Sequence, residues 1–229
     1  MKFRSASVGK RNKRVVFLLT GWHNKIWEYW ITAKTLQLNG FNCVTYEYDG
    51  DTLSPNTKQT VEKVTAIEED ILEKIKKLKE RGHSEFAIFG TSLGSLIALM
   101  VGNRSPDVSK IILNTTGSDL AQTVWSWDKV NKGFKEKLID EDLTLDRLEK
   151  IWRKITPINN VDNLKNKKLL IYLSEKDEII PFVLGRELVE DLKKKNYDTT
   201  VIVNPYLDHF LTGAIDLFKA NTYLKFLKS

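Results

Sequence analysis

Residues 86–100 (FAIFGTSLGSLIALM) constrain this chain more than any other stretch. Four apolar residues lead into Gly90-Thr91-Ser92-Leu93-Gly94, and small or apolar residues continue to Met100. The short run before the glycines reads as a strand, and the longer run after them reads as a helix. A strand can turn into a helix this abruptly only where side chains are absent at the point of closest approach. Gly90 and Gly94 meet that need on either side of Ser92. G-x-S-x-G between a strand and a helix is a nucleophile elbow: the serine holds strained dihedrals and its hydroxyl stands above the sheet. The same turn puts Ser92 at a helix N-terminus, where free N–H groups favour negative charge.

The rest of the chain supplies a sheet for that elbow. Apolar runs at 15–19, 41–48, 108–113, 168–173 and 200–203 read as further strands. Helical patterns fall between them at about 25–38, 54–81, 182–195 and 213–228. Alternation of this kind gives an α/β fold, a mainly parallel six-stranded sheet with right-handed crossovers and helices on both faces. The rhythm breaks at about 115–156, which is too long for an ordinary crossover and carries Trp125, Trp127 and Trp152. This segment reads as a small helical cap, with Thr144 capping its second helix. Residues 1–229 therefore read as one domain with a cap insertion, and the tryptophans of the cap and of 21–30 read as core.

Composition narrows the function. Apolar residues make up 41% of the chain, enough to bury a core. The single cysteine, Cys43, sits in an apolar strand run and reads as a buried, inert thiol. One Cys and three His exclude an ordinary zinc site, and no metal or cofactor is expected. The net charge is +6, but acids interleave with the lysines, which reads as a solvated face rather than a nucleic-acid surface. Only 10–14 is densely basic. No apolar run suits a cleavable leader or a membrane span, so a cytoplasmic location is expected, with a small-molecule partner.

In a parallel sheet all strand C-termini reach one edge, and active sites of open α/β sheets sit there. His83 precedes a strand and falls at the wrong edge, whereas His23 and His209 follow strands. Asp177 follows the strand at 168–173, with Asp119 the alternative acid after the strand at 108–113. A serine hydroxyl needs a base to take its proton, and the base needs a third group to orient it. Ser92, Asp177 and His209 meet these needs in the order Ser…Asp…His. His23, beside Trp22, reads as a wall of the pocket.

The elbow at 90–94, the segment Asp177-Glu-Ile-Ile-Pro181 after a strand, and the late His209 together resemble the α/β-hydrolase superfamily over nearly the whole chain. The resemblance implies a serine hydrolase that cleaves a carboxylic ester or thioester. Ser92 would be nucleophile, His209 base and then acid, and Asp177 its orienting partner. The backbone N–H groups of Trp22 and Leu93 would form the oxyanion hole. Acyl transfer and amide cleavage use the same groups, and a non-catalytic binding protein could keep the fold. The chain departs from the family pattern at Thr20-Gly21, where His-Gly is usual. It departs again at Asp208 before the histidine and at Ser174 opening the acid loop. The family's extra N-terminal strands are expected to be missing or reduced to residues 2–8.

Overall fold

The computed structural model describes residues 3–8, 13–128 and 131–229. The chain opens with β1 (Phe3–Val8) and β2 (Arg14–Leu19), then a 3-10 turn at Ile26–Tyr29 leads into α1 (Trp30–Leu38). Next come β3 (Asn42–Tyr48), α2 (Thr57–Glu80), β4 (Glu85–Thr91), α3 (Leu93–Arg104) and β5 (Val108–Asn114). Three short helices follow, α4 (Leu120–Trp125), α5 (Lys132–Asp140) and α6 (Leu145–Trp152). The chain closes with β6 (Lys168–Ser174), α7 (Phe182–Lys194), β7 (Asp198–Asn204), α8 (His209–Phe218) and α9 (Ala220–Lys228).

The strands form one sheet in the order β1-β3-β2-β4-β5-β6-β7. Every pairing from β3 to β7 is parallel; β1 alone runs antiparallel, with Phe3 opposite Tyr48 and Val8 opposite Cys43. The sheet thus has seven strands rather than the expected six. FRSASV carries too little apolar alternation to announce a strand, and edge pairing to β3 makes it one. The basic run at 10–14 lies partly outside the described residues.

Period-two alternation splits the core between the two faces. Val15, Phe17 and Leu19 of β2 face α2, α3 and the helices after β5, whereas Val16 and Leu18 pack with Ala33, Leu36, Tyr223 and Leu227. Helix α2 shows its stripe plainly, with Val64, Ile67, Ile71 and Ile75 buried and Asn56 capping it through Gln59 N. Cys43 is buried, and burial pushes its thiol up.

Two helix expectations need correction. Trp27 and Trp30 are 75% and 61% exposed and are not core; Tyr29, Thr32, Ala33 and Leu36 make the buried face instead. The face that carries both tryptophans looks outward, with Ile31 exposed beside them. The final helix is two helices broken at Lys219, and α8 begins at His209 itself. Of the tryptophans after β5, Trp127 and Trp152 are buried as expected, whereas Trp125 is half-buried. The Trp152 indole N–H donates to Thr57 O at 3.1 Å, pinning α6 to the start of α2.

Candidate active site

The sheet order reverses between β2 and β4: the chain moves outward from β2 to β3, then returns to the other side of β2. Crevices at such a switch point are where ligands bind in open α/β sheets. Leu19 and Gly90 are register partners there, so the turn after β2 and the elbow after β4 meet.

Ser92 holds φ 53° and ψ −118°, a conformation that costs a non-glycine residue about 1–3 kcal/mol. Its surroundings enforce it. The Ser92 N–H donates to Asn114 O at 2.8 Å, and Ser95 Oγ ties Gly90 O and Asn114 O together at 2.8 and 3.0 Å. A side chain on Gly90 would strike the Gly94 carbonyl, and one on Gly94 would strike the Leu19 and Thr20 carbonyls. Helix α3 is thereby pressed against both neighbouring strands.

His209, the first residue of α8, lies between Ser92 and Asp177. Its Nδ1 is 2.7 Å from Asp177 Oδ2 and its Nε2 is 3.1 Å from Ser92 Oγ. Asp177 is nearly fully buried, and its Oδ1 accepts from the N–H groups of Ile179 and Ile180 at 2.9 and 2.7 Å. An ionised carboxylate only accepts, so the ring nitrogen facing it carries the proton. The Nε2 lone pair is then aimed at the Ser92 hydroxyl.

The other acids have different tasks. Asp119 caps α4 by accepting from Gln122 N at 2.8 Å. Asp208 caps α8 by accepting from Leu211 N at 2.8 Å, which seats His209 on the first turn of that helix. Ser174 bonds Leu207 O and accepts from Lys176 N, fastening the acid loop to the segment before His209. His83 lies at the opposite edge of the sheet, its Nδ1 3.4 Å from Asn42 Nδ2.

Leu93 is the first residue of α3, so its N–H has no acceptor within the helix. Gly21 and Trp22 follow β2, and a Cβ on Gly21 would lie 3.6 Å from Ser92 Cβ. The Trp22 side chain is held away from that point. Its indole N–H donates to Gly50 O at 2.7 Å, and its ring stacks on Trp127 at 6.0 Å. His23, at φ 67°, sits against Trp22 at 4.3 Å between ring centres and lines the cavity in front of Ser92. It does not join the Ser92–His209–Asp177 chain.

Two residues here carry no local sequence signal. The Tyr29 hydroxyl accepts from Gly21 N at 3.2 Å and so supports the turn after β2; burial pushes its phenol up to about 12, keeping it protonated. Asn114 Nδ2 donates to Gly213 O at 2.9 Å and ties α8 to the end of β5. Both act across distant parts of the chain, so neither spacing nor periodicity marks them.

Residues 10–131, just over half of the chain, match the family described as serine aminopeptidase, S33. The chain belongs to this family. It is an α/β-hydrolase enzyme, and solved structures share its fold over almost its whole length. An esterase from Pyrococcus furiosus aligns with TM-score 0.70 at 16% identity, covering 99% of this chain and 90% of that one. A monoacylglycerol lipase from Paleococcus ferrophilus aligns with TM-score 0.65 at 15% identity, covering 99% and 98%. An esterase from Exiguobacterium antarcticum aligns with TM-score 0.61 at 17% identity, covering 99% and 96%. At these identities the likeness of this hydrolase to each is one of fold. No curated protein matches the chain by sequence. Among the described residues, no helix is long and apolar enough to cross a membrane.

Proposed function

We propose that this hydrolase cleaves carboxylic esters or thioesters through a Ser92-His209-Asp177 triad. The observation that carries the reading is the single imidazole bridging a strained elbow serine at 3.1 Å and a buried carboxylate at 2.7 Å. Ser92 Oγ attacks the acyl carbon and its proton passes to His209 Nε2. The carbonyl electrons move onto oxygen, which the Leu93 and Trp22 N–H groups stabilise. As the bond to the leaving group breaks, His209 returns the proton to it, and the acyl group remains on Ser92 Oγ. A water then repeats the sequence: its proton goes to His209, the acyl–Oγ bond breaks, and Ser92 recovers its proton as the acid leaves. Asp177 stays ionised throughout and balances the imidazolium.

The esterases and the lipase that share the fold support an ester substrate, and so does the apolar lining of the cavity at Ser92. The family description favours a second reading, cleavage of the amide after an N-terminal residue. That chemistry needs a carboxylate for the substrate's ammonium. Glu28 is the carboxylate lining the larger cavity, and it already accepts from Asn24 Nδ2 and Lys25 N at 2.5 and 2.8 Å. The test compares p-nitrophenyl butyrate with aminoacyl p-nitroanilides on wild type and Ser92→Ala. Ester turnover that vanishes in the variant supports the first reading; faster anilide turnover replaces it with the second.

A further inference from the structure

Two cavities reach Ser92, of about 380 Å³ and about 70 Å³, and Trp22, Trp127 and Ile179 line both. Trp22 and Ile179 stand on loops with different tasks. In the proposed mechanism Trp22, after β2, supplies an oxyanion N–H, whereas Ile179 belongs to the acid loop after β6. Strands β4 and β5 lie between β2 and β6, so the strands that carry the two loops are about 14 Å apart. No strand pairing fixes one loop against the other. Trp127, from the segment after β5, reaches both.

On the acid side, the Trp127 indole N–H donates to Ile179 O at 2.9 Å. The N–H of the same Ile179 donates to Asp177 Oδ1 at 2.9 Å. On the oxyanion side, the Trp127 ring stacks on the Trp22 ring, with centroids 6.0 Å and planes 10° apart. Phe134 meets both rings edge-on, at 6.0 Å from Trp22 and 5.6 Å from Trp127. Trp127 is itself firmly seated: it is 4% exposed, and its backbone N–H donates to Val124 O at 3.1 Å at the end of α4. Trp22 is only half-buried and leans on this support.

Catalysis is sensitive to both ends of this bridge. An oxyanion donor works only within about 2.7–3.1 Å of the place where the negative oxygen forms. A misplacement of about 1 Å can cost about 10²-fold in rate. A Trp22 ring that loses its stacking partner is free to shift, and its own backbone N–H shifts with it. An Ile179 carbonyl that loses its donor frees the peptide run that orients Asp177. We infer that Trp127 is a positioning residue for catalysis, locking the oxyanion donor of Trp22 to the acid loop at Ile179. It acts through these two neighbours and exchanges no proton with the substrate. The inference rests on the triad reading above. A residue that only walled the cavities would act on substrate binding, and one that only filled the core would act on stability.

The experiment measures kcat and KM for p-nitrophenyl acetate, whose small acyl group keeps contacts with the cavity walls few. The proteins are wild type, Trp127→Phe, Trp127→Leu, Trp22→Leu and the double variant Trp22→Leu/Trp127→Leu, each checked for folding by thermal melt. Inhibition by a small trifluoromethyl ketone is measured beside it. Ser92 Oγ adds to the ketone carbon, the serine proton passes to His209, and the negative oxygen stays at the oxyanion site. Trp127→Leu should lower kcat at least about tenfold, keep KM within about threefold and weaken the ketone at least about fivefold. Trp127→Phe keeps a ring against Trp22 but not the bond to Ile179, and kcat should fall at least about threefold. The double variant should lose no more than about twofold beyond the worse single variant, because the two rings act as one unit. Where Trp127→Leu does not fold, Trp127→Phe decides by the same split between kcat and KM. A kcat within about twofold of wild type in the folded variants, a rise confined to KM, or losses that multiply in the double variant would overturn the inference. Intact-mass labelling with a fluorophosphonate separates the two readings. If wild-type Ser92 is labelled, such a result removes only the role of Trp127; an unlabelled wild type with no ester turnover takes the triad down with it.

Discussion

Replacing Asp177 by Asn probes the most specific feature of the site, because two backbone donors decide how the new amide must sit. Asp177 Oδ1 accepts from Ile179 N and Ile180 N, and Oδ2 faces His209 Nδ1. An asparagine that keeps its carbonyl on the two N–H groups turns its NH2 toward Nδ1. The ring must then accept there and carry its proton on Nε2, pointing at Ser92, where it cannot act as base. The flipped amide restores the useful tautomer but leaves two N–H groups facing an NH2. At about 1–3 kcal/mol for each unsatisfied donor, the flip costs roughly 2–6 kcal/mol. At 1.36 kcal/mol per tenfold, kcat should fall by about 30-fold to 3 × 10⁴-fold. The upper end matches the loss of roughly 10⁴ when the corresponding carboxylate of a serine-protease triad is replaced by its amide. KM should stay close to wild type, and so should the melting temperature, because the variant keeps the same shape and the same two backbone bonds. The assay is steady-state hydrolysis of p-nitrophenyl butyrate, with Asp119→Asn as companion. Asparagine is as good a helix cap as aspartate, so that companion should leave kcat within about twofold. A kcat for Asp177→Asn within about threefold of wild type would refute the reasoning, and a loss confined to Asp119→Asn would move the acid there.

Three further outcomes follow from the same geometry. Gly94→Ala drives a methyl into the Leu19 and Thr20 carbonyls, which are backbone and cannot swing aside; overpacking of about 1–3 kcal/mol or more should appear as a lower urea midpoint. Tyr29→Phe strips the Gly21 N–H of its acceptor, so a loss of about 1–3 kcal/mol in stability should accompany a fall in kcat with little change in KM. Glu68 is buried beside Arg104, and burial, outweighing that ion pair, raises its carboxyl above the usual value. The folded state then binds that proton more tightly than the unfolded chain, and its ionisation erodes stability as pH rises through the folded pKa. Glu68→Gln should accordingly gain on wild type between pH 4 and pH 7 in urea melts. A relative loss over that interval would show that the Arg104 pair outweighs burial.

The parts of the site that were legible in the sequence are those whose constraints are local. Gly90 and Gly94 mark a close approach that any strand-to-helix reversal needs, and strand order alone puts Ser92, Asp177 and His209 at one sheet edge. The departures from the family pattern at Asp208 and Ser174 are a helix cap and a loop fastening, neither of which a residue's identity announces. What stayed hidden depends on contacts between distant segments. Tyr29, at the end of a 3-10 turn, meets Gly21 eight residues before it, and Trp27 and Trp30 lie exposed on the other side of that segment. The antiparallel β1 owes its existence to pairing with β3, and the break at Lys219 interrupts an apolar pattern that by itself reads as continuous. The division of the space around Ser92 between two cavities is likewise a tertiary property.

In the proposed triad, His209 and Asp177 make the Ser92 hydroxyl nucleophilic near neutral pH. Intact-mass analysis after brief exposure to a fluorophosphonate at pH 7 tests it most directly, because it needs no knowledge of the substrate. Wild type should take up one phosphonyl group, Ser92→Ala none, and His209→Ala far less over the same interval. A folded wild type that stays unmodified, or an adduct that persists in Ser92→Ala, would contradict the account.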